Sequence, residues 1–126
     1  MREAGVYCEI YPYDNADEGF GGEKPAGVIL SGGPETVTAE QAPTAPQQVF
    51  ELGVPVLGIC YGLQWLTQHL GGTVEPASGG GEYGRTEMEV TEPGELLAGV
   101  RDGGVVWMSH GDKVEELPPG FSVLAR

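Results

Sequence analysis

The sequence predicts an α/β layer fold with a mainly parallel sheet. Short apolar runs, Ala26–Leu30 and Val54–Ile59, have the length and composition of strands buried on both faces. Each runs directly into a glycine-rich turn, and a helical pattern follows the second. Strands that alternate with helices in this way belong to α/β layers, where ligands bind beyond the carboxyl ends of the strands.

The elements follow in order. Val6-Tyr7-Cys8-Glu9-Ile10 alternates and is rich in β-formers, so it reads as a strand. Residues 12–24 are polar and glycine-rich, a loop or an irregular helix. Ala26–Leu30 is a buried strand ending in Ser31-Gly32-Gly33-Pro34. Thr38–Leu52 reads as a helix broken or delayed by Pro43 and Pro46. Val54–Ile59 is the next buried strand. Leu63, Leu66 and Leu70 then recur at helical spacing until Gly71-Gly72 stops the helix. Thr73-Val74 opens a new element, Tyr83–Thr91 and Gly104–Met108 read as strands, and Phe121–Ala125 as one more. There is no internal repeat and no linker, so residues 1–126 read as one domain.

Composition narrows the function classes. Six basic and 19 acidic residues give a formal charge of −13, which argues against nucleic-acid or anionic-membrane surfaces, since both need basic patches. The acidic surface by itself is read as solvating. Two cysteines, Cys8 and Cys60, make no disulfide framework. The start has no apolar signal core, and no apolar run approaches a membrane span, so a cytoplasmic location is the default expectation.

Gly58-Ile59-Cys60-Tyr61-Gly62 has the form Gly-x-nucleophile-x-Gly between a strand and a helix. Such an elbow needs small residues two positions either side of the nucleophile, because strand and helix pass close together. It lifts the Cys60 side chain above the sheet edge and turns the Tyr61 N–H toward an oxyanion formed there. The positive end of the following helix favours the thiolate. A lone cysteine is ordinarily a small buried hydrophobe. Cys8, inside a strand pattern without glycines, is read that way; Cys60 is read as catalytic. Ser31-Gly32-Gly33-Pro34 follows the other buried strand and can supply a second oxyanion donor, although Gly-Gly-Pro alone also fits an ordinary turn. It has neither dinucleotide-loop spacing nor a P-loop lysine.

Four segments taken together resemble the class I glutamine amidotransferases: Val28–Pro34, Pro55–Gln64, Glu82-Tyr83-Gly84 and Val106–Val114. Val6–Ile10 with Ser109-His110-Gly111-Asp112 is similar to the GMP synthase branch of that family. The resemblance spans essentially the whole chain. It implies a flavodoxin-like layered fold whose first strand and C-terminal part lie outside these residues. It implies that Cys60 attacks the side-chain amide of glutamine and forms a γ-glutamyl thioester, releasing ammonia. It assigns the oxyanion hole to the backbone of Gly33 and Tyr61, and substrate binding to Gly32, Gly62, Gln64, Ser109, His110 and Gly111. It implies no cofactor and no metal in this domain. The ammonia would go to an ATP pyrophosphatase (synthetase) domain or subunit that uses ATP and Mg to aminate XMP to GMP, within a homodimeric full enzyme.

Three departures qualify the resemblance. The family pairs its nucleophile with the His and Glu of a His-Pro-Glu motif, which does not occur in this sequence. The family's initial strand and helix precede Val6–Ile10, so Met1 would fall inside that helix. Gly81-Glu82-Tyr83-Gly84 stands where Arg-Glu-Tyr-Gly is usual. His69, more than two turns into the helix, is expected to be a solvated helix-end residue. His110 matches a non-catalytic family position, and as a base it would need hydrogen-bond reach to Cys60. Asp112 and Lys113 are read either as facing a synthetase or as a polar turn. Two other functional readings stand beside the glutaminase: a non-catalytic module binding glutamine or a synthetase partner, and another α/β enzyme with a cysteine elbow, a different amidotransferase included.

Overall fold

A computed structural model describes residues 1–126. The chain divides into two compact units, Met1–Trp65 and Leu66–Arg126, with the division falling inside a helix. The architecture is α/β.

The first unit opens on a 3-10 turn, Arg2–Ala4, closed by Gly5 in the left-handed conformation. Val6–Ile10, expected as a strand, pairs with nothing in a ladder. Its alternating β-formers face solvent instead, with Tyr7 and Ile10 both more than four-fifths exposed. Polar contacts take the place of a ladder. The Arg2 guanidinium donates to the Cys8 carbonyl at 3.1 Å. The hydroxyls of Tyr7 and Tyr11 each donate to the Glu9 carboxylate at 2.6 Å. Of the loop or irregular helix expected next, the structure has the irregular helix: a 3-10 helix, Tyr13–Phe20, kinked at Asn15.

The two expected apolar strands are present but short: β1 (Val28–Leu30) and β2 (Val56–Gly58), paired in parallel with Val28 opposite Val56 and Leu30 opposite Gly58. They are not buried on both faces. Ile29 and Leu57 point outward and are substantially exposed. Between the strands, the helix expected over Thr38–Leu52 is confined to α1 (Gln48–Glu51). Pro43 and Pro46 explain the delay, since proline donates no backbone hydrogen bond and disfavours a helical residue before it. The small core of this unit gathers Val37, the almost fully enclosed Val49, Tyr61 and Trp65. Phe50 stacks on Trp65 with ring centroids 5.9 Å apart. Burying a valine side chain such as Val49 contributes roughly 1.5–3 kcal/mol.

Helix α2 (Tyr61–His69) follows the elbow as expected. Its end is a glycine stop: Gly71 has φ 91°, and the Gly72 N–H donates to the Thr67 carbonyl at 2.8 Å, five residues back, as in a Schellman cap.

The second unit departs most from expectation. Its strands form two antiparallel pairs, so only β1 and β2 in the chain are parallel. β4 (Glu82–Met88) pairs with β5 (Gly104–His110) over seven residues. Their connection contains no crossover helix, which suits an antiparallel return. β3 (Thr73–Pro76) pairs with β6 (Asp112–Glu116), with an irregularity between Thr73 and Val74. Asp112 and Lys113, considered for a polar turn, thus belong to a strand. The strand expected over Phe121–Ala125 reduces to a single antiparallel bridge between Ala125 and Val90, flanked by reciprocal 2.8 Å bonds between Glu89 and Arg126. Leu66, Thr67, Val74 and Pro118 are the buried residues around which this unit closes. No helix is long and apolar enough to cross a membrane.

Candidate active site

Cys60 is the sole non-glycine residue with positive φ, at 51°. A side chain in that region carries a backbone strain of about 1–2 kcal/mol, which persists only where the surroundings fix it. They do so here. β2 ends at Gly58 and α2 begins at Tyr61, so the chain must reverse within two residues. The strand neighbour holds the turn from one side, where the Ile59 N–H donates to the Leu30 carbonyl at 2.9 Å. The helix holds it from the other, where the Gln64 N–H donates to the Cys60 carbonyl at 3.0 Å.

The glycines flanking Cys60 are dictated by contact. A Cβ at Gly58 would stand 2.7 Å from the Leu63 Cα. One at Gly62 would overlap the Leu30 carbonyl oxygen and lie 2.5 Å from its carbon. Strand and helix therefore pass as closely as the elbow pattern requires. Gly62 has a packing role, and only glycine fits there.

Ser31-Gly32-Gly33-Pro34 forms the exposed turn after β1. A Cβ built on Gly32 would lie 3.3 Å from the Cys60 Cβ and 3.9 Å from its Sγ. One on Gly33 would lie 3.9 Å from the Cys60 neighbour Tyr61, at its Cβ. The backbone of this turn thus runs beside the thiol and the residue after it. Tyr61 is buried, and its hydroxyl donates to the Pro43 carbonyl at 2.6 Å. Burial first, and then the nearby Glu35 carboxylate, push that phenol above its ordinary value. Gln64 is buried one turn into α2. The first unit therefore brings together Gly32, Gly33, Cys60, Tyr61, Gly62 and Gln64. A thiol at a strained elbow, flanked by a glycine-rich backbone and a helix start, is equipped for nucleophilic attack on a carbonyl carbon.

Ser109, His110 and Gly111 lie in the second unit, at the end of β5 and the step into β6. Ser109 is opposite Tyr83 and His110 opposite Glu82. The Gly111 carbonyl accepts the Ala77 N–H at 2.8 Å. The His110 Nδ1–H donates to the Asp112 carbonyl at 2.8 Å, and its Nε2 faces the Glu82 carboxylate at 3.2 Å. His69 sits at the exposed C-terminal end of α2.

Sequence reasoning did not anticipate the contact between Glu82 and His110. Its signal is the strand register, because Glu82 stands directly across the ladder from His110. Gly81 also acquires a reason. It has φ 104°, and a Cβ there would lie 2.5 Å from the Tyr83 ring and 2.8 Å from the His110 carbonyl oxygen. The local backbone has no place for the arginine usual in the resembling family.

Comparison with known proteins agrees with this geometry. The family model for "Glutamine amidotransferase class-I" matches residues 1–126. A GMP synthase [glutamine-hydrolyzing] of Agrobacterium fabrum is 52% identical over 128 residues, covering 99% of this chain and 24% of the relative. One from Shewanella sediminis is 47% identical over 133 residues, covering 99% of this chain and 25% of the relative. The chain thus spans about a quarter of the length of the curated relatives it matches. The crystal structure of a GMP synthase subunit from Thermoplasma acidophilum superposes with a TM-score of 0.74 at 28% identity, covering 98% of this chain and 62% of that one. With its whole length matched by the family model, this chain belongs to the class I glutamine amidotransferase family.

Proposed function

We propose that the chain carries the glutaminase part of a GMP synthase, supplying ammonia for the ATP-dependent amination of XMP to GMP. The observation that carries this is Cys60 at positive φ between β2 and α2, with the Gly32-Gly33 backbone running beside it. The Cys60 sulfur attacks the side-chain carbonyl carbon of glutamine. The C–N bond breaks, and the nitrogen leaves as ammonia with the proton that the thiol gives up. Water then hydrolyses the thioester to glutamate. The backbone N–H groups of Gly33 and Tyr61 stabilise the oxyanion, Gly32, Gly62 and Gln64 hold the substrate beside the thiol, and Ser109, His110 and Gly111 bind glutamine through backbone groups. The partner is an ATP pyrophosphatase domain or subunit, and the complete enzyme is a homodimer. The similarity to GMP synthases over 99% of the chain supports this branch of the family over its relatives.

The test is covalent trapping with a glutamine-mimicking electrophile. Labelling at Cys60 that glutamine suppresses supports the proposal. Glutamine binding without labelling favours a non-catalytic module.

A further inference from the structure

We infer that the Tyr61 hydroxyl positions the oxyanion hole: its bond to the Pro43 carbonyl keeps the loop that begins at Ser31-Gly32-Gly33-Pro34 seated against the first residue of α2. The inference rests on the proposed roles of the Gly33 and Tyr61 N–H groups at Cys60, all of which lie within the first unit.

The two proposed donors are anchored unequally. Tyr61 is the first residue of α2, and the opening N–H groups of a helix have no acceptor within it. The bonds from Ile59 to Leu30 and from Gln64 to Cys60 hold the backbone on either side of that residue. Gly33 lies instead in an exposed turn, at the head of a loop that runs without helix or strand from β1 to α1. The loop's own backbone bonds are short-range. The Ala39 N–H donates to the Thr36 carbonyl at 3.3 Å, and the Ala42 N–H donates to the Ala39 carbonyl at 3.2 Å. Bonds of this reach shape turns but do not tie the loop to the elbow.

The Tyr61 side chain supplies a tie. Its hydroxyl reaches across 18 positions of sequence to donate to the Pro43 carbonyl at 2.6 Å. The base of the same side chain faces the start of the loop, where a Cβ on Gly33 would lie 3.9 Å from the Tyr61 Cβ and Cγ, an ordinary packing distance. One side chain thus meets the loop at both Gly33 and Pro43. Tyr61 is only 8% exposed, so little water competes for its bond. Burial also raises the phenol above its ordinary value, which keeps the hydroxyl a donor at neutral pH. An oxyanion donor acts through its distance from the forming charge, so a loop that shifts at Gly33 weakens the hole without altering the thiol.

The experiment compares the wild-type chain with Tyr61→Phe and Val49→Ala. The first probe is a chloromethyl ketone analogue of glutamine. The Cys60 thiolate adds to its ketone carbon and the π pair moves onto oxygen; the sulfur then bonds to the methylene carbon as chloride leaves. The kinetics separate reversible affinity (KI) from the rate of alkylation (kinact). Iodoacetamide is the second probe, because it alkylates the thiol by direct displacement of iodide and forms no oxyanion. Tyr61→Phe is expected to lower kinact for the ketone by about threefold to tenfold, the scale of one neutral hydrogen bond. Its KI and its iodoacetamide rate should stay within about twofold of wild type. Val49→Ala removes a buried side chain elsewhere in the same unit and should keep the ketone kinact within about twofold. An unchanged ketone kinact in Tyr61→Phe overturns the positioning role, as does a fall matched by Val49→Ala or by the iodoacetamide rate. Glutamine protection of the wild type in the same assay then leaves the glutaminase reading intact. A wild-type chain that glutamine does not protect overturns that reading and the positioning role with it.

Discussion

Replacing Gly62 by alanine puts a methyl group into the Leu30 carbonyl. The added Cβ would overlap the oxygen and approach the carbonyl carbon to 2.5 Å and the Leu30 Cβ to 2.8 Å, where ordinary contact begins near 3.4 Å. Helix and strand must then move apart by nearly an ångström. The strained oxygen is the one that accepts the Ile59 N–H at 2.9 Å, so separation also weakens the bond beside the elbow. Overpacking of this kind costs about 1–3 kcal/mol, and the weakened hydrogen bond adds roughly 0.5–1.5 kcal/mol. The better helix propensity of alanine offsets at most about 1 kcal/mol. A net loss of about 2–3 kcal/mol is expected, a large share of a marginal stability. Urea denaturation of Gly62→Ala against wild type measures it, with Gly22→Ala as control. A Cβ at Gly22 meets nothing within 4 Å and its φ is unexceptional, so the control should change stability by less than about 0.5 kcal/mol. A Gly62→Ala loss below about 1 kcal/mol would refute the claim that strand and helix are in contact at this point.

Three further outcomes follow from the first unit. Val49→Ala, at its most enclosed side chain, should cost about 1–3 kcal/mol in the same assay. Tyr61→Phe removes the hydroxyl that donates to the Pro43 carbonyl and should cost about 1 kcal/mol, read as a lower urea midpoint with unchanged slope. The Tyr7–Glu9–Tyr11 clasp should depend on pH at both ends. Hydrogen bonds from Tyr11 and then Tyr7 hold the Glu9 carboxyl below its ordinary 4.5, so its contribution is present above that value and is lost as pH falls through the lowered one. The hydrogen bond to Glu9 raises both phenols above 10.0, so the clasp is complete below that value and is lost as pH rises through the raised ones. Ring NMR shifts of Tyr7 and Tyr11 should therefore stay constant between these limits and move together beyond them.

The part of the fold that carries Cys60 was legible because its signals are local. Apolar runs, flanking glycines and helical leucine spacing each reflect constraints within a few residues, and β1, β2 and α2 follow from them. What could not be read depends on partners far along the chain. Val6–Ile10 has strand composition, but strand formation needs a neighbour, and the segment pairs in no ladder. β6 escaped notice for the opposite reason. Asp112-Lys113-Val114-Glu115-Glu116 is too polar to suggest a strand, yet pairing with β3 and the 2.9 Å bond from the Thr73 hydroxyl to Glu116 order it. The antiparallel direction of the second unit's pairs has no signal in apolar composition. The site divides in the same way. Cys60, its glycines and Gln64 form a contiguous pattern, whereas the contact between Glu82 and His110 arises from a ladder register that joins residues 28 positions apart.

The central claim is that Cys60 is a glutamine-directed nucleophile. Mass spectrometry of the chain after exposure to a limiting amount of glutamine-mimicking electrophile tests it most directly. Neither cysteine is in a disulfide and both are partly exposed, so Cys8 is the internal control. A single adduct on Cys60, suppressed by glutamine, is the predicted result. Equal labelling of Cys8 and Cys60, or labelling of Cys60 that glutamine does not suppress, would contradict it.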